Sequence, residues 1–173
     1  MELQLHSHRW QRHQTDWAVA AASGFAAGAV LMVLELIWAT VMSTSGPWRI
    51  SQLVAALVLG PQTLQGSSGS FSIGIVTVAL ATHYVLGIVF GMILGFISAG
   101  FRYDTNPRAM AIVGLVFGAV LYFFDFHLVA SYFPWLAELR GWTTFVAHLI
   151  FGITASLLYW MLASRRARPQ RSP

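Results

Sequence analysis

Four ionisable residues interrupt sequence that is otherwise apolar: Glu35, His83, Asp125 and His148. Carboxylates and imidazoles hold metal ions, share protons and anchor polar solutes. Each of the four lies in a stretch long enough to cross a bilayer. An ionisable group there is costly and marks a functional site by default. Two imidazoles and two carboxylates suit Zn, Fe or Mn, and Met32, one turn before Glu35, would add a soft ligand for Cu. His83 and His148 on two helices also fit bis-imidazole ligation of haem b, with nearby glycines making room for the porphyrin. A His beside a carboxylate titrates near neutral pH, which suits handling of protons or a small solute. The plainest reading is structural: two His–carboxylate hydrogen-bonded pairs that fix helix register. The residue types leave all four readings open; the working expectation is a periplasm-facing site for a metal ion, with a haem b electron carrier, proton or solute handling, or an accessory subunit of a larger membrane complex as alternatives.

The elements that must position these residues are four apolar segments, Trp17–Met42, Ser72–Ala99, Ala109–Tyr132 and Trp142–Ala163. A helical crossing needs about 20 residues. No segment alternates with period two, so a barrel is not expected. The first run is too long for a signal-peptide core and is expected to be retained. At ~1.5 Å per residue, all four ionisable residues fall roughly 10–15 Å below the outer surface. Tyr84 and Tyr122 flank the cluster and offer hydroxyls to it. His127, two residues beyond Asp125, points about 200° away; it would support the cluster from behind or reach the interface. The inner half of the bundle has only glycine and apolar residues, which favours a site open to the outer side.

Composition agrees. Of 173 residues, 57% are hydrophobic and 9% charged, against about 25% charged in soluble domains. This excludes an ordinary soluble enzyme, a disordered chain and, despite a net charge of +4, a nucleic-acid binder. With 0 Cys there is no disulfide framework and no thiolate metal site. No P-loop, Gly-x-Ser-x-Gly, His-Glu-x-x-His or dinucleotide fingerprint is present. The implied surroundings are membrane lipids, with a homodimer or a larger membrane complex as further partners; a transport role would need the dimer.

Arginine placement sets the orientation. Arg9, Arg12, Arg102, Arg108, Arg165, Arg166, Arg168 and Arg171 fall on one side, and only Arg49 and Arg140 on the other. Both termini are therefore expected in the cytoplasm. The chain divides into an arm (1–16), a transmembrane domain (17–163) and a basic tail (164–173). In the arm, His6, His8 and His13 read as parts of a solvated basic segment.

The segments repeat. Gly24, Gly28, Leu31 and Glu35 align without gaps on Gly114, Gly118, Leu121 and Asp125. His83 and Gly87 align on His148 and Gly152, and Pro47-Trp48 has its counterpart in Pro134-Trp135. The unit is a helical hairpin, at about 17–99 and again at 109–163. Two-span units keep their orientation, so the copies are expected as parallel repeats about an axis along the membrane normal. The Gly-x-x-x-Gly stripes let backbones approach, and the four stripes are expected to face each other.

Two outer segments complete the layout. Ile50–Gly60 is apolar but too short to span, and is expected as an interfacial or re-entrant helix ending at Gly60-Pro61. Gly66-Ser67-Ser68-Gly69-Ser70 follows as a link. Between the last two spans, Glu138 and Arg140 sit beside Trp135 and Trp142, as a cap over the bundle mouth or a gate above the cluster.

The acidic/His segment of the third span, Phe133-Pro134-Trp135, His148-Leu149 and the Arg-rich tail together resemble the YagU-type family of small bacterial inner-membrane proteins. The resemblance covers about half the chain. It implies a bacterial inner-membrane location and an association with acid tolerance, and it supplies no ligand residues.

Overall fold

Local signals start and stop the helices. Asp16 Oδ1 accepts the Val19 N–H at 3.0 Å, an N-cap that opens α1 (Trp17–Met42). α2 (Arg49–Leu59) stops at Gly60, whose φ of 89° suits glycine and whose N–H returns to the Ala56 carbonyl. α3 spans Ile73–Gly100. Asn106 caps α4 (Pro107–Phe123) through its Oδ1 on the Arg108 N–H at 2.9 Å, with proline in the first turn. α5 runs Trp142–Ala167. The computed structural model describes residues 15–42, 46–65, 70–100 and 106–167. His6, His8, His13, Arg9, Arg12, most of the Gly/Ser link, Arg102, Arg168 and Arg171 lie outside them.

The described chain is all α, and α1, α3, α4 with its extension to Ser131, and α5 are long and apolar enough to cross a membrane. Large apolar side chains such as Ile37, Val41, Phe96, Ile112 and Val120 are exposed on their outer faces. Such a surface suits lipid and not water.

The third span departs from the expected continuous helix to Tyr132. Its α-helix stops at Phe123, and Phe124–Leu128 wind as a π-helical turn before a 3-10 turn over Val129–Ser131. Widening the helix displaces carbonyls from their usual partners. Arg140 compensates by donating Nε–H to the Phe126 carbonyl at 2.6 Å. π turns cluster at functional sites, and this one contains Asp125.

Glycine sets the packing within each hairpin. A Cβ at Gly24 would lie 2.2 Å from the Gly87 carbonyl oxygen, and one at Gly114 would lie 2.3 Å from the Gly152 carbonyl oxygen. The backbones of α1 and α3, and those of α4 and α5, are therefore in direct contact. The stripes meet in these two pairs and do not converge fourfold. Between hairpins the arrangement is one-sided: α1 lies along α5, whereas α3 and α4 barely meet. A strict twofold would make those two contacts equal.

Candidate binding cavity

At one end of the bundle α1 and α4 finish and α3 and α5 begin. Two segments roof it: α2, and the 3-10 turns over Pro134–Leu139. Below them lies a cavity of about 330 Å³, lined by Glu35, His83, Asp125 and His148 together. The structure thus brings the four side chains singled out in the sequence to the wall of one cavity. Most of the remaining lining is apolar, with Phe90, Phe124, Phe126, Phe133 and Phe151 as its aromatic wall. Ile50, Val54 and Leu57 of α2 and Leu136 and Leu139 of the 3-10 turns close the top.

Each acidic residue meets its surroundings differently. Asp125 Oδ2 lies 3.6 Å from His148 Nε2, an ion-pair distance. His148 is 6% exposed, and its Nδ1 is 2.8 Å from the Thr144 carbonyl. A carbonyl only accepts, so Nδ1 carries the hydrogen there. Nε2 and Asp125 must then share a proton if the contact is to be attractive. Glu35 has no such partner. It is within electrostatic reach of His83 and His148 but makes no hydrogen bond among the described residues. His83 instead sets its Nε2 3.1 Å from the Gly28 carbonyl of α1. By the same reasoning that nitrogen is the donor, and in the neutral ring Nδ1 keeps a lone pair. The expected pair of His–carboxylate hydrogen bonds is thus reduced to a single ion pair, in the second hairpin. The other histidine is taken by a backbone carbonyl, that of Gly28.

The four ligand-type side chains border one space, yet among the described residues no three His, Asp or Glu gather closely enough to hold a metal ion. Nor do the glycines leave a slot for a porphyrin. Gly118 abuts the His148 carbonyl and Gly87 abuts Gly24. Met32 borders a second cavity of about 210 Å³ beneath Trp48, which shares Glu35, His83, Ile50 and Val54 with the first.

The flanking residues take supporting places. Tyr122 is buried, with its ring 6.1 Å from that of His148 in a T-shaped contact. Its hydroxyl accepts the Gly141 N–H at 3.2 Å. Tyr84 stacks on Phe25 at 4.6 Å and touches the His83 ring by its edge at 6.4 Å. His127 is exposed and packs on Tyr122 and Phe123, away from the cavity.

One feature of the roof was not anticipated. Arg49 of α2 makes a forked contact with Glu138, with Nη2 at 2.8 and 2.9 Å from its two carboxylate oxygens and Nε at 3.1 Å. The residues are 89 positions apart, and sequence spacing gives no hint of the pairing. At the opposite end Arg166 Nη1 holds Asp16 at 2.9 Å. At each end, among the described residues, an ion pair thus joins the two hairpins.

Comparison with protein-family models, curated proteins and solved structures finds no match to this chain.

Proposed function

We propose that this chain is a small multi-pass membrane protein that binds a small amphiphilic molecule in the roofed cavity, with the His/carboxylate cluster receiving the polar end. The observation that carries this reading is the cavity itself: about 330 Å³, largely aromatic and aliphatic, with all four ionisable residues on its wall. Small-molecule sites are apolar concavities of ~300–1,000 Å³ with a few convergent polar groups. A bare ion is supported less well, because among the described residues no three ligand-type side chains close around a point.

The wider setting belongs to the same proposal. The arginine distribution supports cytoplasmic termini, and the aligned glycine and acidic positions support a duplicated hairpin. The resemblance to YagU-type proteins supports a bacterial inner membrane. The cavity then faces the periplasm, and the ligand is a solute of that side or of the outer leaflet.

The test uses protein in lipid nanodiscs and three naphthyl probes of one shape: 2-naphthylethylamine, 2-naphthylethanol and 2-naphthylacetate. Saturable binding of at least one, in excess of empty nanodiscs, is expected. Val54→Trp, which fills the top of the cavity, should abolish it without loss of helicity. Absence of saturable binding for all three would contradict the proposal. So would a near-stoichiometric metal ion in chelator-free protein that disappears in His83→Ala and His148→Ala.

A further inference from the structure

The polar wall of the cavity is unbalanced. Its ionisable members are two carboxyl groups and two imidazoles, and no arginine lines it. Asp125 is matched by His148 at 3.6 Å, and the remaining His148 nitrogen is held by Thr144. His83 spends its Nε2 hydrogen on the Gly28 carbonyl. Glu35 makes no hydrogen bond among the described residues. Glu35 and His83 border both cavities, so a group placed at their junction meets both.

The junction therefore presents a carboxyl group with no hydrogen-bond donor of its own among the described residues, beside the His83 ring. Its complement is a group with several N–H donors and a positive charge. Aromatic faces on the cavity wall add to the attraction for a desolvated cation. From this geometry we infer that the ligand is a lipophilic amine, its ammonium on Glu35 and its apolar body among the phenylalanines. This rests on the cavity being a small-molecule site and specifies the class of molecule it takes.

The same three probes separate the two statements. The amine is expected to bind about ten-fold or more tightly than the alcohol of the same shape, as a charge-assisted hydrogen bond allows, and the acetate to bind least. Glu35→Gln should bring amine and alcohol within about two-fold of each other, while Glu35→Asp keeps most of the preference. Melting curves of both variants show whether they are folded. Equal binding of amine and alcohol, both lost in Val54→Trp, would overturn the amine assignment and leave the cavity standing. Preference for the acetate would overturn it too. A preference for the amine that survives in folded Glu35→Gln would show that Glu35 is not its partner. No saturable binding at all would remove both statements.

Discussion

The two hairpins place the same residue types at the same positions and use them differently. In the second, Asp125 sits in a π turn and faces His148 at 3.6 Å. In the first, Glu35 stays in a regular α-helix, and His83 turns to the Gly28 carbonyl. The glycines diverge with them. A Cβ at Gly118 would strike the His148 carbonyl at 2.2 Å, whereas one at Gly28 would meet Gly87 and His83 at ordinary distances of 3.7 and 3.9 Å. The second hairpin thus closes its polar pair inside the protein. The first packs as closely at Gly24 but is looser at Gly28, and its Glu35 makes no hydrogen bond among the described residues. Equivalent positions in two hairpins need not do the same chemistry, because one turn of altered winding re-aims the side chain.

The largest expected effect breaks this comparison at the glycines. Gly118→Ala forces backbone against backbone and should cost about 3 kcal/mol, the upper end of overpacking. Its aligned counterpart Gly28→Ala should be within about 0.5 kcal/mol of wild type, as ordinary contacts allow. Unfolding in mixed micelles measures both, and equal losses would erase the distinction.

Next comes the ion pair. Asp125→Asn strands His148 and should destabilise by about 2 kcal/mol, less than the ~3–5 of a fully buried pair because part of Asp125 is exposed. Glu35→Gln, with no hydrogen bond to lose, should leave stability unchanged or raised. The same unfolding assay reads both, and a larger loss in Glu35→Gln would reverse the assignment of roles.

Smaller effects concern the ties between hairpins. Asp16→Ala removes the cap on Val19 and the contact to Arg166, and should cost about 1 kcal/mol. The Val19 N–H, with help from Arg166, holds the Asp16 carboxyl below its usual range. A depressed value gives stability that is present above the unfolded pKa and lost as pH falls through the folded one. The wild type's advantage over Asp16→Ala should therefore be present at pH 6 and shrink below about pH 4, as melting at a series of pH values will show. Arg49→Gln loosens the roof and should cost about 0.5 kcal/mol, since Glu138 is half exposed. Its clearer signature is faster hydrogen exchange in α2.

Much of this architecture is legible in the sequence. Long apolar runs mark the spans, Gly60-Pro61 marks the end of α2, and glycines four apart mark the contact faces. The convergence of Glu35, His83, Asp125 and His148 follows from their common depth. What the sequence conceals is set by tertiary contact. Phe124–Leu128 contains neither proline nor glycine, so the π turn has no local signal. The partner of His83 is a main-chain carbonyl, which has no residue type to read. Arg49 and Glu138 meet only because α2 folds over the cavity beside the 3-10 turns. The one-sided packing of the hairpins is likewise invisible in a symmetric alignment.

The central claim is that Glu35, and not Asp125, is the carboxylate open to a ligand. The most direct measurement is an experimental structure with 2-(6-bromo-2-naphthyl)ethylamine, the bromine locating the ring by anomalous scattering. The amine nitrogen is expected at about 2.7–2.9 Å from Glu35, the ring among Phe90, Phe124 and Phe151, and Asp125 still on His148. An amine seated on Asp125, with His148 displaced, would contradict it.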